Sequence, residues 1–471
     1  MSELHHLSAQ EQWRLVHRGE ITPLELVNHY LERIGRLNDE LGAFTTVTAD
    51  AARTRAGVLA ELVPKAAPLW GIPLGDKDLV RRAGVRTTFG SRLFADFVPD
   101  ESDELVEVLD AAGAISLGKT NAPEFGLPSY TESLVAPPAR NPWDLTLGAG
   151  GSSGGAAVAV SAGLLPFAPG SDGGGSIRIP AAATGLVGLK PGRGVVPSGS
   201  GLTSLGGLVT AGPLARTVAD AAMLLDAMIA GSDYGFSVRS PGWDGGALLG
   251  AATRGEGRFQ LGVMTTSSWD DAYEITVSAE ARAALETAIT ELDALGHGIE
   301  EFALESDNTY APAFRTIWQA GASDLPAEGD QLELLEPLTR WLVEAGRRLS
   351  AREVVVALST LTTFERSVIR QFAGFDAVLT PALALTPRPI GWYSSEDPEL
   401  NFAQQVQYTP FTSFANVAGL PAITLPVYHT EAGIPMGVQL VGRPGGEATL
   451  LSIGAQLERR IGWQHRHPAA W

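Results

Sequence analysis

The spacing of apolar positions predicts that helices and short strands alternate along the chain. Over residues 8–36 apolar side chains recur at helical spacing, and Ser8 and Thr22 stand where the capping residues of two helices belong. Short apolar runs typical of buried strands then alternate with amphipathic helices, down to a closing helix over 450–459. This alternation is typical of an α/β fold.

Most of the individual elements can be assigned from this pattern. The predicted strands are 44–47, 114–117, 259–264, 375–380, 411–426 and 435–441. The predicted helices are 49–62, 103–112, 217–230 and 278–295, together with a largely helical block over 307–366. The segment 156–168 consists of small apolar residues and fits either a helix or a strand packed in a core.

Length and repeats bear on domain organisation. A chain of 471 residues suits one large domain or two ordinary ones. It contains no internal repeat and no low-complexity tail. We predict one continuous domain over 1–471, with a variable, largely helical excursion at about 231–372.

Composition and charge exclude several classes of function. The apolar fraction of 45% predicts a large core, and the formal net charge of −19 argues against nucleic-acid or anionic-membrane partners. The absence of cysteine excludes disulfides, thiolate metal sites and a cysteine nucleophile. The N-terminus lacks the pattern of a signal peptide, and no apolar run is long enough to span a bilayer. We therefore expect a cytoplasmic protein.

Glycine and serine concentrate in residues 148–155 and 170–176. Glycine at this density indicates positive φ angles or close approach to a neighbouring group. Successive backbone N–H groups in the second cluster could converge on an oxyanion, with a serine as the attacking group. A phosphate-binding loop stays open from composition alone.

A serine nucleophile needs a base, and histidine is absent between His29 and His297. Lys77 follows an apolar run, and burial there would lower its pKa enough for it to act as a neutral base. The alternative is a surface lysine paired with Asp76 or Asp78.

Three motifs together resemble the amidase signature family. They are Lys77 in GIPLGDKD, the GGSSGG of 150–155 and the SDGGGSIRIP of 171–180, with Ser152 preceding Ser176 by 24 positions as in that family. The resemblance implies a single α/β domain with a central mixed β-sheet flanked by helices. It also implies a triad: Ser176 as nucleophile, Ser152 as bridging serine on a cis peptide and Lys77 as base, without metal or cofactor.

The resemblance also assigns three groups of residues around the triad. The oxyanion donors are the N–H groups of Gly173, Gly174, Gly175 and Ser176. The substrate contacts are Gly126, Leu127, Tyr130 and Ser152, and hydrogen-bonding support comes from Ser153, Asp172 and Arg178. For Tyr130 the alternative is ordinary packing, and for Arg178 it is a plain buried ion pair.

The implied function is an amidase that hydrolyses a small-molecule amide through a seryl acyl-enzyme. The layout is also similar to that of nylon-oligomer hydrolases, and the family resemblance suggests a homodimer. Amidotransferase subunits of the glutamyl-tRNA type share the three motifs and form the first alternative. Their serine motif usually has glutamine where this chain has Ile179, and their Leu-Asp-Gln segment is absent from 205–208.

Two further motif matches compete with this interpretation. Gly150-x-Ser152-x-Gly154 fits the nucleophile elbow of α/β-hydrolases, for which the base would come from His297, His429, His465 or His467. That assignment leaves Lys77 without a role. Residues 113–120 match a phosphate-loop pattern, but they follow a predicted helix and include a predicted strand, which argues against nucleotide binding.

Overall fold

The computed structural model describes residues 3–196, 204–230, 247–305, 308–469 and 471. The strands within these residues are short. They are β1 (Phe44–Val47), β2 (Pro73–Lys77), β3 (Ile115–Thr120), β4 (Arg140–Asn141), β5 (Asp144–Gly148), β6 (Phe167–Asp172), β7 (Val187–Lys190), β8 (Thr210–Ala215), β9 (Gln260–Val263), β10 (Gly298–Glu301), β11 (Ala377–Pro381), β12 (Ala422–His429) and β13 (Pro435–Gly442).

Helices connect most of the strands. In the described part of the chain they are α1 (Ala9–Arg18), α2 (Pro23–Leu41), α3 (Ala49–Leu62), α4 (Glu104–Ala111), α5 (Gly154–Ser161), α6 (Arg178–Thr184), α7 (Val218–Ile229), α8 (Leu248–Arg254), α9 (Ala279–Ala294), α10 (Tyr310–Ala322), α11 (Pro337–Arg347), α12 (Ala351–Phe372), α13 (Pro398–Tyr408), α14 (Ser413–Val417) and α15 (Glu447–Ile461). None of them is long and apolar enough to cross a membrane.

The centre of the molecule is a mixed sheet, in which eight strands are found within the described residues, in the order β10-β9-β11-β13-β12-β7-β8-β6. The first three are parallel to one another, and every later neighbour is antiparallel. Helices flank this sheet, so the structure confirms the predicted fold class. A smaller sheet, β1-β3-β2, brings β2 beside β6. The end of β2 therefore lies next to the second glycine-rich loop.

Most of the predicted elements are confirmed. Both N-terminal helices begin with complete capping boxes, at Ser8 and at Thr22, and α3 has the predicted bounds. The ambiguous segment 156–168 contains most of α5 and the start of β6, and every residue of α5 is buried. α8 and α13 are additions that the sequence pattern did not predict.

The prediction of one strand over 411–426 was wrong in its first half. The structure has α14 there, and β12 begins only at Ala422. The helical turn directs the carbonyl oxygen of Thr412 and the side chain of Asn416 onto the guanidinium of Arg178. These tertiary hydrogen bonds override the strand propensity of the segment.

The predicted excursion at about 231–372 lies partly outside the described residues, at 231–246 and at 306–307. From residue 247 onward the segment is mainly helical, but β9 and β10 join the edge of the central sheet. The one-domain boundary and the variability of this segment stay predictions.

Candidate active site

The three motifs converge on one buried cluster. Lys77 is the last residue of β2, Ser152 lies just before α5, and the loop after β6 carries Ser176. The Nζ of Lys77 is 2.8 Å from Ser152 Oγ, and it donates hydrogen bonds to Ser171 Oγ at 3.0 Å and to the Ser171 carbonyl at 3.3 Å. Lys77 is only 2% exposed, so it is not the surface lysine of the alternative interpretation.

Burial lowers the pKa of Lys77 to about 7, although the negative charge of Asp172 acts in the opposite direction. A neutral amine has two N–H donors and one lone pair. The two oxygen atoms of Ser171 can take both donors, and the lone pair is then left for the hydroxyl proton of Ser152. This geometry suits a base that receives its proton from Ser152.

The peptide bond between Gly151 and Ser152 is cis. The backbone of Tyr130 packs directly against it, because a Cβ on Gly151 would lie 2.7 Å from the Tyr130 carbonyl group. Ser153 joins the two serine loops: its N–H donates to the Ser176 carbonyl at 3.0 Å, and its Oγ accepts from the Ser171 N–H at 3.3 Å.

The carboxylate of Asp172 organises the loop that holds Ser176. Its Oδ1 accepts the N–H of Gly175 at 2.8 Å, and its Oδ2 accepts the N–H of Ile177 at 3.1 Å. Gly175 is therefore a correction to the predicted oxyanion donors, because its N–H is already engaged. Of the four predicted donors, those of Gly173, Gly174 and Ser176 have no acceptor among the described residues.

Arg178 holds Asp172 in place at the base of the loop. Its Nε and Nη2 bind the carboxylate at 3.0 and 2.8 Å, and both side chains are fully buried. The remaining guanidinium donors bind the Thr412 carbonyl, Gln439 Oε1 and Asn416 Oδ1. Burial acts to raise the pKa of Asp172, but the guanidinium holds it well below its usual range.

We expect Arg178→Met to lower the free energy of unfolding by about 3–5 kcal/mol, because it leaves the Asp172 carboxylate buried without its partner. Chemical denaturation of the two proteins measures the difference. The control is Arg460→Met, which removes a half-exposed ion pair with Glu291 and should cost less than about 1 kcal/mol. Equal losses in the two variants would show that Arg178 is no more important to stability than a surface arginine.

Gly126 faces the same cluster from the opposite side. It has a φ of +70°, and a Cβ at this position would lie 2.6 Å from the Leu79 side chain and 3.3 Å from Ser152 Oγ. Glycine therefore lets the backbone approach Ser152 closely. This placement is consistent with the predicted contact between Gly126 and the substrate.

Two cavities meet at Ser176, and Leu127 and Trp318 also line both of them. We name them by size and call the smaller one the inner cavity and the larger one the outer cavity. The inner cavity has a volume of about 70 Å³, and its other lining residues are Pro128, Ser129, Gly174, Ile179, Trp269, Phe314, Phe402, Gln405, Val406, Thr409 and Ser413. The outer cavity has a volume of about 450 Å³, and its other lining residues are Leu79, Val80, Phe125, Gly126, Ser152, Ser171, Gly173, Ser204, Leu205, Leu208, Val209, Ile317 and Gly321.

No charged side chain lines either cavity among the residues that the structure describes. The amide of Gln405 is already engaged, since its Oε1 accepts the Ser129 N–H at 2.8 Å and its Nε2 donates to Asn401 at 2.7 Å. The indole N–H of Trp269 likewise donates to Ser413 Oγ at 3.0 Å. Both cavities thus suit uncharged groups.

Tyr130 packs among other aromatic side chains. Its ring stacks on Tyr393 with centroids 4.1 Å apart, and its hydroxyl accepts a hydrogen bond from Asn401 at 2.8 Å. The ring is held in this buried cluster, and Tyr130 lines neither of the two cavities. The structure therefore favours the packing alternative for Tyr130.

Sequence reasoning missed several residues of the site. Ser171 stands in the third motif but received no role, although it contacts Lys77. Phe314 and Trp318 lie on α10, in the block that the sequence predicted only as largely helical, and Phe402 and Gln405 lie on the unpredicted α13. The sequence offered one signal for these lining residues: the aromatic positions on α10 recur at helical spacing, which puts them on one face of the helix.

The competing motifs do not form sites. Lys119, in the phosphate-loop pattern, is buried on β3 and pairs with Asp78 at 3.6 Å. Of the four histidines proposed as bases, none lines either cavity in the described part of the chain. His297 accepts the N–H of Phe259 and His429 lies beside Arg466, both away from Ser152.

Comparison with known proteins shows that the chain belongs to the amidase family, whose model matches residues 25–451. The protein is 36% identical over 473 residues to AmiB2 of Mycobacterium tuberculosis (strain ATCC 25618 / H37Rv), which is assigned as an amidase, with 99% of both chains covered. It is 34% identical over 497 residues to a glutamyl-tRNA(Gln) amidotransferase subunit of Roseiflexus sp. (strain RS-1), again with 99% of both covered. The solved structure of 6-aminohexanoate cyclic dimer hydrolase matches with a TM-score of 0.90 at 30% identity, over 99% of both chains. The protein is thus an amidase signature enzyme that hydrolyses amide bonds.

Proposed function

We propose that this enzyme hydrolyses a small, uncharged carboxylic amide through an acyl-enzyme on Ser176, with Ser152 as proton relay and Lys77 as base. The observation that carries the proposal is the contact between Lys77 and Ser152 at 2.8 Å. The lysine is buried and has a pKa of about 7, and its partner Ser152 lines the outer cavity together with Ser176.

In the first step the Oγ of Ser176 attacks the amide carbonyl carbon. Ser152 accepts the proton of Ser176 and passes its own proton to the neutral Nζ of Lys77. The carbonyl oxygen becomes an oxyanion, which the free N–H groups of Gly173, Gly174 and Ser176 stabilise. A donor of this kind typically contributes about 3–4 kcal/mol to transition-state stabilisation.

The proton then returns from Lys77 through Ser152 to the leaving nitrogen. The C–N bond breaks, and ammonia or an amine departs while the acyl group stays on Ser176. A water molecule gives a proton to the same relay and attacks the ester carbonyl. Collapse of the second intermediate releases the carboxylic acid and restores the hydroxyl of Ser176.

The principal alternative is glutamine hydrolysis in an amidotransferase, to which the 34% identity with the Roseiflexus protein points. Free glutamine carries an α-ammonium and an α-carboxylate, and burying them without partners is unfavourable. The uncharged lining of both cavities therefore supports an uncharged amide over glutamine.

Trapping the acyl-enzyme tests the proposal directly. After acid quenching of a reaction with 4-nitrophenyl butyrate, mass spectrometry should find one butyryl group, and peptide mapping should locate it on Ser176. The matched control is Ser161→Ala, which removes a buried serine of α5 whose hydroxyl donates to the Thr184 carbonyl, and which should leave labelling intact. Label on Ser152 would instead favour the nucleophile-elbow mechanism, and ammonia release from glutamine alone would favour the amidotransferase.

A further inference from the structure

We propose, on the basis of the function proposed above, that the acyl part of the substrate occupies the inner cavity and the amine part occupies the outer cavity. The substrate is then an N-substituted amide that joins a short, apolar acyl group to a larger, uncharged amine. Three independent features of the two cavities lead to this assignment.

The position of Ser152 decides which side receives the amine. The leaving nitrogen must take its proton from Ser152 Oγ, so it has to lie on the side of Ser176 where that hydroxyl is exposed. Ser152 lines the outer cavity, together with Gly126, and is absent from the lining of the inner one. The nitrogen and its substituent therefore face the outer cavity, and the acyl substituent faces the inner cavity.

The volumes set the size of each part. A group the size of a water molecule needs about 10–15 Å³ of cavity volume. The inner cavity of about 70 Å³ therefore holds roughly five to seven non-hydrogen atoms. The outer cavity of about 450 Å³ is far larger than ammonia requires. A primary amide would leave most of it empty, whereas an aryl or alkyl amine would fill it.

The chemistry of the walls sets the polarity of each part. Trp269 lines the inner cavity and its indole N–H donates to Ser413, whose hydroxyl is also 2.8 Å from the hydroxyl of Tyr310. A charged acyl terminus would meet aromatic rings and engaged polar groups here. In the outer cavity, Leu205 and Val209 are partly exposed and apolar, which suits an uncharged amine substituent.

Two substrate series measure these preferences separately. In the first, 4-nitroanilides carry acyl groups from acetyl to decanoyl, and we expect kcat/KM to peak at about five to seven non-hydrogen acyl atoms and to fall beyond. The succinyl anilide, which ends in a carboxylate, should react at least about 100-fold more slowly than the pentanoyl one. In the second series, the acyl group is butyryl and the amine grows from ammonia to benzylamine. We expect kcat/KM to increase along this series.

Two variants then test the side assignment. Val406→Ala enlarges the inner cavity and should raise kcat/KM for the octanoyl substrate relative to the butyryl one by about tenfold. Val209→Trp fills part of the outer cavity and should lower kcat/KM for the benzylamide relative to the primary amide by about the same factor. Phe402→Leu, one turn before Val406 on α13, provides a second enlargement in case the first variant does not fold.

The outcomes separate the two proposals. An acyl-length effect from Val406→Ala and an amine-size effect from Val209→Trp support the assignment. If Val406→Ala changes the amine ratio instead, the side assignment is overturned while hydrolysis by Ser176 stands. If no amide is hydrolysed and no acyl group forms on Ser176, the proposed function and this inference fall together.

Discussion

Replacing Ser176 with alanine is expected to lower kcat for every amide substrate by about 10⁴- to 10⁶-fold, the range found when single members of a serine catalytic triad are removed. The variant loses the oxygen that forms the acyl-enzyme, whereas the Lys77–Ser152 hydrogen bond and the loop around Asp172 do not depend on that oxygen. Steady-state kinetics on a chromogenic anilide, at enzyme concentrations high enough to detect the residual rate, measures the loss.

The control for Ser176→Ala has to separate chemistry from folding. Ser161→Ala also removes one serine hydroxyl from a buried position, and it should keep kcat within a few-fold of the wild type. Thermal unfolding of both variants shows whether the fold is retained. Retention of more than one hundredth of the wild-type kcat in a folded Ser176→Ala protein would exclude this residue as the nucleophile.

The sequence predicted the candidate triad through its resemblance to the amidase signature family, and the motifs that carry this resemblance are local. Each motif combines an unusual residue with the backbone that it needs: a lysine at the end of an apolar strand, or a serine among glycines. Short segments of this kind largely determine their own conformation, so the position of Lys77 at the end of β2 follows from residues close to it in the chain. The capping boxes at Ser8 and Thr22 were predictable for the same reason.

The parts that the sequence did not predict depend on residues far apart in the chain. Gly175 donates to Asp172 only because Arg178 fixes that carboxylate, and Arg178 in turn depends on Asn416 and Gln439. The contacts of Arg178 with this segment also favour α14 in the first part of 411–426, where the sequence predicted a strand. Likewise, the inner cavity combines α10 with α13, and no periodic pattern records which distant helices meet.

Asp172 links the two halves of the candidate site. Its carboxylate holds the loop of the oxyanion donors, and its charge acts on Lys77, whose pKa it raises against the effect of burial. Full burial of Asp172 keeps this charge from being screened by water. One side chain thus orders the loop that carries the proposed oxyanion donors and also contributes to the basicity of Lys77.

Replacing Lys77 with methionine is expected to lower kcat by about 10²- to 10⁴-fold, the usual contribution of a general base, because methionine has similar length but cannot accept a proton. In the wild type, kcat/KM should increase tenfold per pH unit below about 7 and level off above it, since the free enzyme reacts only when Lys77 is neutral. The residual rate of Lys77→Met should lack this rise. Initial rates on a neutral anilide between pH 5 and pH 9 measure both effects.

A second buried lysine provides the matched control. Burial, with a contribution from Arg178, also lowers the pKa of Lys190 to about 7, but its Nζ donates to the Pro191 carbonyl and it lines neither of the two cavities. If Lys77 is the base, Lys190→Met should keep the rise near pH 7. If Lys190→Met loses the rise of kcat/KM and Lys77→Met keeps it, the titration belongs to Lys190. Lys77 would then not be the base of the proposed mechanism.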